Sequence, residues 1–453
     1  MKCPGRSPGT GESNGGAAVI ENAVGPSARP PWWRTAALAV AGLLAVAACG
    51  GGATQSGGGS QEANGSPITI GVLDDQAPLT AVEGAEMRVN TDLAVAQINS
   101  SGGIHGHKVN VVFADPQADP SKAVALAQQL VQQNNVDVLV GAVLSSECLG
   151  VENLVARLQI VYVSSTGCAS EDFTAKQCNQ YSFRLTPQGQ QVNIPLSSYI
   201  VKQYGTKWSI IYPDYAFGQS QLAAYKVGMQ AAGGALAQII PIPQNETNMT
   251  PYISKISTDG SVNGLINTEV GADLVRASTT IAQFNLNAKL PIVGVFGKER
   301  FAGVYPPSLT GDIGQSPELS DAAKENSFDV AYHTAFKGQL GKEDPAIINT
   351  LGNDKAVPGD LGYEAYTAIT ALKLAMLSSN FTGKSDTSKL ISAMSKLKAK
   401  QSADFPGGDF QMNASDHQGA TTTYIAKING QQEDVLATIA PDKLPPIGTC
   451  QAK

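Results

Sequence analysis

The chain has 453 residues, 15% of them charged and 42% hydrophobic, which is enough to bury two or three domain-sized cores and excludes disorder over its whole length. Its formal charge of −7 comes without any run of Lys or Arg, which argues against nucleic acid or a polybasic membrane contact as partner. Acid polymers are disfavoured as ligands by the same balance.

In chain order, residues 1 to about 24 are Gly-rich, carry glutamates and are assigned no structure. From Pro30 the string PPWWRTAALAVAGLLAVAACGGG gives Arg34, an apolar run of about fourteen residues, then small residues before Cys49, the order of an export signal. That run is short for a retained membrane span. Val46-Ala47-Ala48-Cys49 resembles a bacterial lipobox, whose cysteine takes lipid and becomes the mature N-terminus; an ordinary small-residue cleavage site is the alternative. Residues 1–48 are thus expected to be a signal peptide with an N-terminal extension, and residues 49–67, rich in Gly and Ser, a flexible tether.

Strand and helix then alternate. Residues 68–73 read as a strand opening through Asp74–Thr80 into a helix over 84–98, which stops at Ser100-Ser101-Gly102-Gly103. Strands follow at 109–113, 136–140 and 160–163, with a helix predicted over 121–133 and helical spacing over 149–156. Further along, strands at 208–212, 264–267 and 290–295 alternate with helices over 219–231 and 272–284. Such alternation implies parallel strands with right-handed crossovers.

The stretch 136–169 organises the reading. Two short β-branched runs are each followed by a serine pair, Ser145-Ser146 and Ser164-Ser165, with Thr166 and Gly167 adjoining the second. In an open parallel sheet, neighbouring carboxyl ends face one crevice, so the pairs would share a small space suited to a solute. Ser145 or Ser146 would begin a helix, where free N–H groups favour an anion such as a carboxylate. Helix capping without any ligand explains the same serines equally well.

Cys148, Cys168, Cys178 and Cys450 remain in the mature chain, and an exported protein meets an oxidising compartment. Cys168 and Cys178 enclose a short polar loop and are the expected disulfide; Cys148 with Cys450 follows by elimination. Paired C-x-x-C or H-x-x-x-H spacing is missing, so no metal is expected, and nothing in the sequence calls for a cofactor. There is no G-x-S-x-G elbow and no H-E-x-x-H, and Gly383-Lys384-Ser385 lacks the earlier glycine and strand of a P-loop; it reads as a helix-ending loop, and no enzyme is expected.

The string I-x-I-G-V…P-L-T…L-A-V-x-x-I-N-x-x-G-G-I-x-G, running from Ile68 to Gly106, resembles the opening of the branched-chain amino-acid (Leu/Ile/Val) binding proteins of ABC importers. Asp119-Pro120-Ser121-Lys122-Ala123, Tyr181-Ser182-Phe183-Arg184, Asp214-Tyr215-Ala216-Phe217-Gly218, Tyr363-Glu364-Ala365-Tyr366 and Phe405-Pro406-Gly407-Gly408 extend the likeness over roughly residues 68 to 440. The resemblance implies an α/β fold of two Rossmann-like lobes with parallel sheets joined by a three-crossover hinge, the type I periplasmic binding protein. Lobe 1 is then 68–187 plus 322–402, and lobe 2 is 188–321 plus 403–453.

It implies a lipid-anchored protein on the extracytoplasmic face of the cell membrane that closes over a small solute and delivers it to an ABC permease and its ATPase. A ligand-sensing receptor on the same fold is the alternative. Ser145 and the groups from Ser164 to Gly167 correspond to positions that hold a ligand carboxylate. Phe217 falls where a ligand-packing tyrosine is common; Tyr215 could take that place or pack on its own lobe. Where a glutamate commonly meets an α-ammonium this chain has Phe296, with Glu299 three residues on, while Glu269 could supply the charge or be a plain loop carboxylate. The loop after Thr80 also lacks the aromatic residue that contacts a ligand side chain. A compact carboxylate, an amide or an aromatic acid therefore fits as well as an amino acid.

Overall fold

The computed structural model describes residues 65–175, 178–185, 187, 189–294, 300, 303–319 and 326–445. The export signal, Cys49, most of the tether, Phe296, Glu299 and Cys450 lie outside the described residues.

The first part of the chain runs β1 (Ile68–Leu73), α1 (Ala81–Ser100), β2 (Val109–Ala114), α2 (Pro120–Gln132), β3 (Val138–Gly141), α3 (Ser145–Leu158), β4 (Val161–Ser164), α4 (Asp172–Ala175) and β5 (Ser182–Arg184). Its strands form a parallel sheet in the order β2-β1-β3-β4-β5. Near-continuous apolar strands such as β1 suit this arrangement because helices cover both faces. Local chemistry fixes the helix starts: Asp119 accepts the Ser121 and Lys122 N–H groups at 2.8 and 3.1 Å, and Pro120 follows at the position where its missing N–H costs nothing.

Strand β3 starts later than the apolar run suggests. Asp137 takes the Thr69 N–H on its carboxylate at 2.8 Å and gives its own N–H to the Thr69 carbonyl at 2.7 Å, which closes the entry to the strand. At its far end Gly141 has φ +108°, and a Cβ there would lie 2.5 Å from the Leu73 carbonyl oxygen. Only glycine allows β1 and β3 to approach this closely where they open onto the crevice.

The chain continues through α5 (Gly189–Tyr204), β6 (Lys207–Pro213), α6 (Ala216–Ala231), β7 (Ala235–Ile242), α7 (Thr250–Ile253), β8 (Gly264–Asn267), α8 (Gly271–Gln283), β9 (Ile292–Gly294) and β10 (Ile313–Ser316). Helices α9 (Ser327–Leu340), α10 (Pro345–Leu351), α11 (Asp360–Ser379) and α12 (Thr387–Met394) follow. Then come β11 (Lys398–Ala399), β12 (Phe410–Met412), β13 (Gly419–Thr421), β14 (Thr423–Asn429) and β15 (Gln432–Ile439). The second sheet has the order β15-β14-β10-β9-β8-β6-β7, parallel from β7 to β10 and antiparallel at β14 and β15. Strands β11 to β13 make a small antiparallel sheet.

Both large sheets share one winding: the second strand lies outside the first, and the rest extend the other way. Ile70, Val72, Val138 and Val140 of the first sheet pack under Val89 of α1, Phe336 of α9 and Ile369 and Leu372 of α11. Its other face meets Leu130 of α2 and Val151 and Leu154 of α3. In the second sheet, Trp208 and Ile210 pack with Leu196 of α5 and Tyr225 of α6, while Ile211 and Leu265 face Ala277 and Ile281 of α8. The chain therefore leaves the first layer after β5, returns to it for α9, and leaves it again before β14. These are two Rossmann-like lobes joined by three crossovers, as the resemblance implied. Their interleaving is invisible to strand and helix periodicity.

Candidate functional site

The winding order of each sheet reverses beside its first strand, and the loops leaving the strands at that point form the crevice of an open α/β sheet. The two crevices face each other. A cavity of about 30 Å³ between them is lined by Leu79, Thr80 and Glu83 after β1, Val143, Leu144 and Ser145 after β3, and Gly167 after β4; Tyr215 and Phe217 after β6, Val270 after β8 and Leu361 of α11 complete it. The space suits only a few water molecules, so a larger solute requires the facing loops to part.

The loops already touch across the crevice. Ser170 Oγ and Ser220 Oγ are 3.1 Å apart, and the Glu171 N–H reaches Ser220 Oγ at 3.4 Å. At the start of α8, Gly271 has φ +55° and lies so near the loop after β1 that a Cβ would stand 2.2 Å from the Leu79 carbonyl oxygen.

Of the residues singled out in the sequence, Ser145, Gly167, Tyr215 and Phe217 line this cavity. Ser145 opens α3, and its hydroxyl oxygen accepts the Ser170 N–H at 3.2 Å. The Tyr215 and Phe217 rings lie 6.1 Å apart, centroid to centroid. Ser164 is buried beside Cys148, its hydroxyl 4.0 Å from that sulfur, and Thr166 donates to the Leu361 carbonyl at 3.1 Å. Ser165 is buried too, whereas Ser146 is half-buried outside the lining. Glu269 is buried next to the Asp273–Arg276 ion pair rather than on the cavity wall. Its carboxyl is pushed up to about 8 by burial and by Asp273, with Arg276 opposing.

The expected disulfide is corrected. Cys168 pairs with Cys148, their Cα atoms 6.2 Å apart, and not with Cys178. The pairing of Cys148 with Cys450 falls with it. Chain proximity favoured Cys178, but β3 and β4 are neighbours in the sheet, so the first turn of α3 and the loop after β4 meet in space. The bridge ties together the two loops that carry the serine pairs.

What the sequence reading missed is acid. Glu83 and Glu86 stand one turn apart on α1, both buried, near Asp75, Glu147 and Asp360. Glu86 is held by the Gly359 and Gly362 N–H groups at 3.0 and 2.9 Å, Glu147 by the Leu144 N–H at 3.0 Å, and Asp75 by the Ala118 N–H at 2.9 Å. Glu83 Oε2 is buried with no hydrogen-bond partner among the described residues. Burial foremost, then the nearby Asp75 and Asp360, push the Glu83 carboxyl up to about 7; burial and Asp75 push Glu147 to about 8. The signal was the i, i+3 pair of carboxylates on a helix that is buried nearly all round. Among the described residues, no group of His, Cys, Asp and Glu has the geometry to hold a metal ion.

Residues 67–433 match the family described as periplasmic binding protein. The Leu/Ile/Val-binding protein homolog 3 of Brucella melitensis biotype 1 is 26% identical over 198 residues, 43% of this chain and 52% of that protein. The chain thus spans about half the length of such curated relatives. Among solved structures, a solute binding protein of an ABC transporter from R. palustris in complex with benzoate aligns with TM-score 0.71 and 18% identity, over 83% of this chain and 97% of that one. The closed conformation of a leucine-, isoleucine-, valine-, threonine- and alanine-binding protein from Brucella ovis aligns with TM-score 0.72 and 17% identity, over 85% and 99%. At such identities the solved structures attest the shared two-lobed fold. Since the family match runs from just before β1 into β15, the chain belongs to the periplasmic binding protein family.

Proposed function

We propose that the protein is the solute-binding component of an ABC importer, closing two lobes over a small amino-acid-like, amide or carboxylate solute and handing it to a membrane permease. One observation carries the reading: the cavity sits where the switch points of two sheets face each other, and both layers supply its walls. Lobe closure about interleaved crossovers is a hinge motion that buries a ligand without making bonds. The resemblance puts lobe 1 at 68–187 with 322–402 and lobe 2 at 188–321 with 403–453. Phe405, Phe410 and Met412 pack in the first core, so we place the third crossing after β13 rather than at 403. Relatives and solved neighbours that bind branched-chain amino acids or benzoate support the reading.

The apolar run ending in Val46-Ala47-Ala48-Cys49 supports a lipid anchor at Cys49 on the extracytoplasmic face. Among the described residues, no helix is long and apolar enough to cross a membrane. Replacing Cys49→Ala is expected to release the protein from membranes; a variant that still partitions with them refutes the anchor.

A thermal-shift screen of the purified protein against amino acids, amides, urea and small carboxylates tests the binding reading, because a ligand of the native state raises the melting temperature. At least one class should do so, and silence across all of them overturns it. Unchanged uptake of that solute in cells lacking the chain would instead favour a sensor.

A further inference from the structure

Among the described residues, the cleft wall carries an acid and no base. Leu79, Val143, Leu144, Val270 and Leu361 with the rings of Tyr215 and Phe217 make its apolar part, Thr80, Ser145 and Gly167 its neutral polar part, and Glu83 is its charged side chain among the described residues. Glu83 is 4% exposed, and its Oε2 lacks a partner among the described residues. Two described cations at this end of the first sheet are committed elsewhere: Arg88 pairs with Asp74 at 2.6 Å and lies 3.6 Å over the Phe113 ring, and Arg184 donates to Gln418, Thr174 and the Cys168 carbonyl.

Three donors at the strand ends are also committed, while the Ser145 hydroxyl on the wall accepts the Ser170 N–H. The Gly167 N–H faces Glu364 Oε2 at 3.5 Å, the Leu144 N–H is held by Glu147, and the Thr166 hydroxyl donates to Leu361. A carboxylate entering this space would meet the Glu83 carboxyl with no cation on the described wall to offset it. A buried carboxyl oxygen without a donor costs free energy that an entering N–H recovers.

We propose that Glu83 Oε2 is the polar anchor of the cleft, and that its ligand presents an N–H donor on an apolar body, as a small amine or primary amide, rather than a carboxylate. This rests on the reading of the cleft as a solute site and narrows the solute class.

Four probes of matched skeleton decide it by isothermal titration of the purified protein: 3-methylbutylamine, 3-methylbutanamide, 3-methylbutanoate and leucine. The amine or the amide should bind, and 3-methylbutanoate should not. Glu83→Gln keeps the shape and one acceptor oxygen. It should weaken the amine by about 10- to 100-fold, the scale of a lost charge-assisted hydrogen bond, and the amide by less. Glu83→Leu should remove both, while apo melting temperatures close to the parent's show that each variant is folded. Binding of 3-methylbutanoate or leucine with neither amine nor amide overturns the inference and leaves the solute-binding reading standing. Amine and amide affinities unchanged in both variants overturn it as well. Silence of all four probes overturns the inference; if the wider solute screen is silent too, the proposed function falls with it.

Discussion

Arg184 donates from Nε to Gln418 Oε1 at 2.5 Å, joining the end of β5 to the lead-in of β13 across 234 positions of sequence. The backbone follows: the Arg184 N–H reaches the His417 carbonyl at 3.0 Å, and Arg184 and Gln418 pair in parallel register. The guanidinium is fully buried and also donates to the Cys168 carbonyl at 3.2 Å, to Thr174 Oγ1 at 2.7 Å and to the Ser170 carbonyl. One side chain thus fastens the first crossover, the third crossover and the loop that reaches Ser220 across the cleft.

Arg184→Lys should therefore be costly although it keeps the charge. An ammonium cannot serve four acceptors held in a planar fork, and the acceptors it abandons stay buried. Breaking a buried charged network costs about 3–5 kcal/mol, which urea unfolding would read as a lower midpoint. Gln418→Ala, leaving the other Arg184 contacts in place, should cost about 1.5–3 kcal/mol. Equal midpoints for the parent and Arg184→Lys would mean that the network is not what holds the crossovers.

Ser145→Ala separates capping from solute contact. The Ser145 hydroxyl oxygen accepts the Ser170 N–H, so its loss leaves a buried donor unpaired and should lower apo stability by about 1–3 kcal/mol. Because Ser170 itself meets Ser220 across the cleft, affinity should drop too through a looser loop. An unchanged apo melting temperature with weakened binding would assign the hydroxyl wholly to the solute.

Buried carboxyls set the pH response. Burial pushes Asp74 and Glu83 up to about 7, Glu147 and Asp312 to about 8 and Glu152 to about 9, from unfolded values of 3.8 for Asp and 4.5 for Glu. Between the unfolded and folded values the native state binds more protons, so stability falls as pH rises. It is fullest below about pH 4.5 for these groups and flattens near pH 9. His417, lowered by burial from 6.5, works the other way, its share being lost as pH falls. The carboxyls outnumber it. The melting temperature of the apo protein should be higher at pH 5 than at pH 8.5, and a rise over that interval would show these carboxyls to be ionised without penalty.

The alternation of strand and helix was legible where strands such as β1, β3 and β4 are short apolar runs and a helix such as α2 keeps an apolar stripe. The serine pairs were legible as residues that follow two apolar runs, which form the neighbouring strands β3 and β4; of the four serines, Ser145 lines the cavity. Two things were not. The Cys148–Cys168 bridge depends on which strands are neighbours, a property of sheet order that spacing along the chain does not encode. Glu83 was hidden because a glutamate in the first turn of a helix reads as an ordinary dipole partner. The opposite lobe, arriving with Gly271 beside its carboxyl, is a long-range contact that spacing along the chain does not encode.

Gly271 supplies a test of closure itself. Its φ of +55° is left-handed, where an L side chain costs about 1–2 kcal/mol, and that alone predicts a modest loss of stability in Gly271→Ala. The larger effect concerns the cleft. An alanine Cβ would lie 2.2 Å from the Leu79 carbonyl oxygen and 3.3 Å from Glu83 Oε1, and the first distance is far inside van der Waals contact. Both atoms belong to the loop and helix after β1, on the other side of the cavity from α8. The clash exists only while the lobes are together, so beyond the backbone strain common to both forms the substitution raises the free energy of the closed form relative to the open one. When the binding-competent form is a fraction of the population, apparent affinity falls by that fraction. Each 1.4 kcal/mol of added closure cost therefore weakens binding about tenfold. Gly271→Ala should bind the solute found by screening at least about tenfold more weakly, and small-angle scattering should show a larger radius of gyration with ligand present than the parent has. Parental affinity and an unchanged radius would mean that α8 and the loop after β1 do not meet when the protein holds its ligand.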